Sequence, residues 1–81
     1  MKLGIYTIEK TLFEGDVKEV VAKTTTGEIS ILPNHIPLIS RLVAAPLRFI
    51  DLEGENHFVP IDSGFLEVQP ESVIRILVDA V

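Results

Sequence analysis

The segment "GEISILPNHIPLIS", from Gly27 to Ser40, shows the structural preference of this chain most clearly. It begins with the alternation of a β-strand and then places Pro33 and Pro37 inside an apolar run. Each proline removes a backbone donor, so neither suits the interior of a helix or a central strand. His35 lies between them, where a plain core would have another aliphatic residue. The segment therefore predicts a short strand followed by a stiff, unusually apolar loop.

The rest of the chain favours strands over helices. Five prolines leave little room for long helices, and short β-compatible runs recur at roughly 8–12-residue spacing with turn signals between them. This pattern is typical of an all-β sandwich or barrel. The predicted strands are Lys2–Glu9, Val17–Lys23, Ile29–Leu32, Leu38–Ala45, Leu47–Leu52, His57–Ile61, Phe65–Gln69 and Val73–Val78. The predicted inward-facing residues are Leu3, Ile5, Val20, Ile31, Leu47, Phe49, Phe65, Val68 and Ile76.

Length and composition exclude several classes of protein. With 81 residues the chain is expected to form one domain, residues 1–81, and the lack of cysteine excludes disulfides and a Cys-based zinc site. A net charge of −5 argues against nucleic-acid binding. The N-terminus has no secretory signal pattern, and the most apolar region is broken by Pro37, Arg41 and Pro46. We therefore expect no direct membrane insertion, so that a partner would hold the chain at any membrane.

No arrangement of residues predicts catalysis, a cofactor or a metal. His35 and His57 lie 22 residues apart without further ligands at metal-binding spacing, whereas a metal site needs three or four convergent ligands. The triplet Asp62-Ser63-Gly64 lacks the glycine that stands two residues before the serine in a nucleophile elbow, so it is better interpreted as a turn. The sequence predicts a protein that is not an enzyme.

Two interpretations of the opening segment remain. Five of its residues are large and aliphatic, namely Ile31, Leu32, Ile36, Leu38 and Ile39. Part of this group belongs to the core, but the prolines fix the backbone in a way that presents the rest to solvent. A stiff apolar loop loses little entropy on docking, which favours a protein-interaction module. A purely structural crossing of the core is the alternative.

Four motifs carry a resemblance to a known family. They are "LFEG" (Leu12–Gly15), "GEISILPNHIPLI" (Gly27–Ile39), "SGFLEVQP" (Ser63–Pro70) and "ILVDA" (Ile76–Ala80). In this order and spacing they resemble the N-terminal β-sandwich of the epsilon subunit of F-type ATP synthase, which is called delta in mitochondria. The resemblance covers essentially the whole chain.

The resemblance implies a fold and a role. It implies a sandwich of two five-stranded sheets, with about ten short strands, in a non-catalytic subunit of the rotor. Such a subunit binds the gamma subunit and sits on the c ring, contacts the F1 alpha/beta assembly indirectly, and helps couple proton flow to ATP synthesis. The implied location is the cytoplasmic side of the plasma membrane, as a peripheral subunit, or the organellar counterpart. The alternative from another class is a stand-alone β-sandwich that binds a different partner.

The resemblance also assigns residues. Glu28 matches the acidic residue at the loop that meets the c ring, and His35, Ile36, Pro37 and Leu38 match the segment that lies toward gamma.

The sequence departs from the family pattern at two sites. The family usually has glycine where Asn34 stands, but asparagine also tolerates positive φ, and Ser63 replaces the first of two glycines before Phe65. Family members normally continue into a pair of C-terminal helices, which carry inhibition of ATP hydrolysis and sometimes ATP binding. The final run "VIRILVDAV" favours a closing strand, so these 81 residues are expected neither to inhibit hydrolysis nor to hold ATP.

Overall fold

A computed structural model describes residues 1–79 of the chain, which form eight β-strands and, within that range, no helix. The all-β prediction is confirmed. The strands are β1 (Lys2–Tyr6), β2 (Thr11–Thr24), β3 (Gly27–Ile31), β4 (Leu38–Leu42), β5 (Leu47–Asp51), β6 (Asn56–Val59), β7 (Gly64–Gln69) and β8 (Val73–Val78).

Strand pairing is continuous, in the order β1-β8-β7-β4-β2-β5-β6, and β3 also pairs with β2. The long strand β2 belongs to two layers, because Thr11–Asp16 pairs with β1 whereas Val17–Thr24 pairs with β3 and β5. A register shift between Val17 and Glu19 marks the point where β2 passes from one layer to the other. The first layer therefore contains β2, β1, β8, β7 and β4, and the second contains β3, β2, β5 and β6.

The described strands number eight, and since the 14-residue strand β2 serves both layers, the layers contain five and four strands, against the two sheets of five that the resemblance implies. Strand β2 was predicted to begin at Val17, because Glu14, Gly15 and Asp16 are poor strand formers. Pairing with β1 outweighs those preferences. Gly15 also leaves room for the Phe13 ring, since a Cβ there would lie 3.0 Å from its Cζ atom.

The core lies between the two layers and contains residues from both. Eight of the nine predicted core residues are buried. The exception is Phe65, whose exposed fraction is 47%. Side chains alternate along a strand, so Phe65 and Val68, three positions apart, cannot share a face. In β7 the inward positions belong to Leu66 and Val68, and Phe65 points to solvent.

The Asp51 carboxylate stabilises the turn of the β5–β6 hairpin through hydrogen bonds. Asp51 Oδ1 accepts hydrogen bonds from the backbone N–H groups of Glu53 and Glu55, both at 2.9 Å, and Oδ2 lies 2.7 Å from Nε2 of His57. The His57 ring is stacked on Phe49, with the ring centroids 4.9 Å apart. The hydrogen bond from His57, followed by that from the Glu55 N–H group, holds the pKa of Asp51 below its ordinary value.

These contacts predict how stability depends on pH. Because the pKa of Asp51 is lowered by folding, its carboxylate stabilises the fold above the ordinary Asp pKa and ceases to do so as pH falls through the lowered value. We expect Asp51→Asn to have a lower free energy of unfolding than wild type at pH 7. This difference in free energy should become smaller below about pH 4. Urea denaturation of both proteins at several pH values measures this difference in free energy. The control is Asp62→Asn, which changes an exposed turn residue. A difference in free energy that does not change with pH would contradict the stabilising role of the Asp51 carboxylate.

The described residues include no helix long and apolar enough to span a lipid bilayer.

Candidate docking surface

The loop between β3 and β4 begins with a tight turn. The His35 N–H group donates to the Leu32 carbonyl at 3.1 Å, with Pro33 and Asn34 as the two central residues. Asn34 has φ 69°, as a type II turn requires at its second central position, and proline is common at the first. The expectation that Asn34 takes positive φ is confirmed.

Asn34 offers a test of how rigid this turn is. Replacing it with alanine is expected to lower the free energy of unfolding by about 1 kcal/mol, because a Cβ-bearing residue without a local polar group resists positive φ. Replacing it with glycine is expected to be neutral or slightly stabilising, because glycine adopts this conformation freely. Urea denaturation compares the two variants, and equal stabilities would show that the turn relaxes to another conformation.

The loop is also attached to the turn between β7 and β8. The Asn34 N–H group donates to Ser72 Oγ at 2.9 Å, and the Ser72 carbonyl accepts from the Lys2 N–H group at 2.9 Å. Glu71 and Ser72 both have positive φ, at 68° and 59°. A residue 38 positions away therefore fixes the start of the loop.

The predicted gamma-binding residues differ in where they point. His35 is half-buried, and its Nδ1 donates to the Ile36 carbonyl at 2.7 Å, which holds the ring against its own backbone. Ile36 is 73% exposed and Pro37 is also exposed, so they form the outward part of the loop. Leu38 is half-buried, packs against the core and pairs with Val68. Of the four residues, Ile36 and Pro37 therefore contribute most of the exposed surface.

Glu28 lies apart from this loop. It is the second residue of β3, is exposed, and is paired with Lys23 of β2. The loop leaves the other end of β3, so Glu28 and Leu32 lie roughly 13 Å apart along the strand. The neighbouring turn is well ordered by Thr24, whose Oγ1 donates to the Gly27 carbonyl at 2.8 Å. Glu28 and the loop therefore form two separate surfaces.

A third feature was not predicted from the sequence: four residues that we name the outer patch, namely Tyr6, Ile39, Phe65 and Leu77. These residues lie on the solvent side of β1, β4, β7 and β8, where Leu77 is paired with both Tyr6 and Phe65. Ile39 is 73% exposed, and Phe65 and Leu77 are about half exposed. Together they line an open groove of about 540 Å³. No local motif predicts this surface, because each of the four strands contributes a single residue to it.

Two arginines and a hydrogen bond border the outer patch. The Arg41 guanidinium lies 5.2 Å from the centroid of the Phe65 ring, and that of Arg75 lies 5.7 Å from the Tyr6 centroid. The Tyr6 hydroxyl donates to Glu14 Oε2 at 2.8 Å, and this bond raises the pKa of Tyr6. A side chain at Gly4 would collide with the Tyr6 ring, so glycine allows the ring to lie across β1.

The chemistry available here is that of docking. Within residues 1–79, no group of three or more His, Cys, Asp or Glu residues is arranged to hold a metal ion. The loop and the outer patch instead present exposed aliphatic and aromatic side chains on a well-supported backbone. Exposed apolar surface of this kind, bordered by polar residues, marks protein–protein contact sites.

The chain is similar in sequence to subunits of known proteins. A profile of the family described as "ATP synthase, Delta/Epsilon chain, beta-sandwich domain" matches residues 1–81. The chain is 42% identical over 73 residues to the ATP synthase epsilon chain of Shouchella clausii, covering 90% of this chain and 54% of that one. It is 45% identical over 80 residues to the epsilon chain of Mycolicibacterium vanbaalenii, covering 98% and 65%. It thus spans between about half and two thirds of the length of these relatives.

Solved structures support the fold. A chain in the Euglena gracilis mitochondrial ATP synthase, from a structure of its OSCP/F1/c-ring, aligns with a TM-score of 0.91 at 20% identity, covering 96% of this chain and 49% of that one. A chain in the central stalk/c-ring structure of the Tetrahymena thermophila mitochondrial ATP synthase aligns with a TM-score of 0.81 at 17% identity, covering 98% and 63%. At these identities the likeness shows that the β-sandwich fold is shared.

Proposed function

The chain belongs to the family of ATP synthase delta/epsilon β-sandwich domains, and from this premise we propose that it is a non-catalytic subunit of the central stalk of a proton-translocating F-type ATP synthase. In this role it docks the gamma subunit to the c ring, so that proton flow through the ring turns the stalk and drives ATP synthesis. It contacts the F1 alpha/beta assembly indirectly. Its place is peripheral, on the cytoplasmic side of the plasma membrane or the organellar counterpart.

The observation that carries this proposal is the rigid apolar loop between β3 and β4. Ile36 is exposed although the loop is held by a type II turn and by Ser72. An apolar side chain on a fixed backbone gains contact area on docking without losing much conformational entropy. We propose that Ile36 and Pro37 contact gamma directly, and that His35 and Leu38 support the loop from its inner side.

Glu28 would form the second contact, which is the one with the c ring. It lies roughly one strand length from the loop, beside a turn of three threonines. One domain of this size can therefore reach two partners with separate surfaces. We propose that Glu28 faces the polar loops of the c ring.

Reconstitution tests the proposal. An ATP synthase preparation depleted of its epsilon subunit is mixed with the chain, and proton pumping and co-sedimentation with the complex are measured. The chain is expected to join the complex and to restore coupling between ATP hydrolysis and proton pumping. A folded chain that does not associate would contradict the rotor role and favour a sandwich with a different partner.

Charge reversal at Glu28 is expected to weaken coupling without unfolding the domain. A single exposed carboxylate contributes little to stability, but a lysine in its place would replace attraction at the c ring with repulsion. In the same reconstitution, Glu28→Lys should reduce proton pumping, and more so at low ionic strength. Glu19→Lys, on the neighbouring strand β2, is the control. Wild-type pumping by Glu28→Lys would remove Glu28 from the c-ring contact.

A further inference from the structure

Among residues 1–79, the residues other than glycine that adopt positive φ lie in two turns that touch each other. Asn34, with φ 69°, lies in the loop between β3 and β4, whereas Glu71 and Ser72, with φ 68° and 59°, lie in the turn between β7 and β8. Asn34 and Ser72 are in direct contact, since the Asn34 N–H group donates to Ser72 Oγ at 2.9 Å. Such backbone is costly for residues with a Cβ atom and is found mainly at functional sites. The strained backbone of this domain is therefore concentrated where the loop meets the β7–β8 turn.

The residue type at position 72 is explained by the loop rather than by its own turn. Glycine adopts positive φ most easily, and asparagine comes next. Serine has neither advantage, but its hydroxyl accepts the Asn34 N–H group and lies 3.5 Å from Asn34 Oδ1. A glycine at this position would suit the turn and would lose both contacts. Ser72 therefore links the β7–β8 turn to the loop at some cost to the turn itself.

Ser72 is also the point through which the loop is attached to a distant segment. In the part of the chain that the structure describes, the hydrogen bonds that join residues 33–37 to another segment all involve Ser72. The remaining bonds of the loop are local, from the His35 N–H group to the Leu32 carbonyl and between the His35 ring and the Ile36 carbonyl. Ser72 is itself fixed, because its carbonyl accepts from the Lys2 N–H group of β1 at 2.9 Å. One side chain thus connects the loop to the first layer.

We propose that Ser72 is a positioning residue, which acts on gamma binding by holding the β3–β4 loop in the conformation that docks. This inference rests on the proposed function, in which Ile36 and Pro37 contact gamma directly. A loop released from Ser72 samples more conformations, and it must lose that freedom when gamma binds. Because Asn34 is exposed, the same hydrogen bond contributes little to the stability of the domain. Removal of the Ser72 hydroxyl should therefore affect the affinity for gamma more than it affects folding.

Ser72→Gly is the test variant, because glycine keeps the positive φ of the turn and removes the hydroxyl. Glu71→Gly is the matched control, since it changes a residue at positive φ in the same turn and leaves Ser72 Oγ in place. In the free chain, NMR is expected to show about tenfold faster amide exchange of Asn34 in Ser72→Gly, together with a lower backbone order parameter at Ile36. Both quantities should be unchanged in Glu71→Gly. The urea midpoint of Ser72→Gly should stay close to that of wild type, because easier adoption of positive φ offsets the lost bond.

Isothermal titration with intact gamma subunit gives the second readout. Ser72→Gly is expected to bind gamma about fivefold more weakly than wild type, because part of the binding free energy must then order the loop. Glu71→Gly is expected to bind as wild type does, at a salt concentration that screens the lost charge. Unchanged affinity in Ser72→Gly, whether or not Asn34 exchanges faster, would overturn the positioning role of Ser72 while the rotor role stands. If the wild-type chain does not bind gamma at all, both are wrong.

Discussion

Leu66→Ala is expected to lower the free energy of unfolding by about 3 kcal/mol, whereas Phe65→Ala, one residue away, is expected to cost less than about 1 kcal/mol. Leu66 is fully buried between the layers, so its truncation leaves a cavity. Phe65 points to solvent and loses mainly its contact with Arg41. Urea denaturation of the two variants measures the difference.

The pair of variants is its own control, because both shorten an apolar side chain of the same strand. Equal losses of stability would contradict the placement of Leu66 in the core and Phe65 on the solvent face, and a one-residue shift of β7, which exchanges its two faces, would make Phe65→Ala the more costly variant. A larger loss for Phe65→Ala would restore the core assignment that the sequence suggested.

Ile36→Asp is expected to weaken binding to gamma by about 2 kcal/mol, or roughly thirtyfold in Kd, while the domain remains folded. Ile36 is exposed in the free chain, so a charge there costs little until it is buried at an interface. Leu38→Ala is expected to act mainly on stability, because Leu38 packs against the core. Isothermal titration of gamma measures the affinities.

Leu52→Asp is the control for this change, since Leu52 is also exposed and aliphatic but lies at the β5–β6 turn. Equal loss of affinity in both variants would point to a general effect of charge. Unchanged affinity in Ile36→Asp would place the gamma contact elsewhere than this loop.

Much of the fold is predictable because most strands alternate strongly. Val68 lies between Glu67 and Gln69, and Leu47 is followed by Arg48, so the burial of these two residues follows from a period of two. The early start of β2 does not follow, because it depends on pairing with β1, a contact that the local sequence does not encode. Phe65 was misassigned because a large aromatic residue was expected in the core, although the alternation of Leu66, Glu67, Val68 and Gln69 places it on the solvent face.

The candidate surface was predictable only in part. Two prolines and an asparagine indicate the turn of the loop, and the turn forms as expected. The anchoring role of Ser72 was not visible, because its partner Asn34 is 38 positions away. The outer patch arises where four strands that are distant in sequence place single residues side by side. Such a surface depends on both topology and register, so no single sequence motif predicts it.

Methyl NMR of the chain, free and with unlabelled gamma subunit, tests the central claim most directly. Ile36 and Ile39 are exposed reporters on the loop and beside it, whereas Ile50 and Leu52 report on the β5–β6 side. Docking through the loop predicts that the methyl signals of Ile36 and of the adjoining Ile39 shift or broaden on addition of gamma, while those of Ile50 and Leu52 stay in place. Changes confined to Ile50 and Leu52, or no change at any of the four residues, would contradict it.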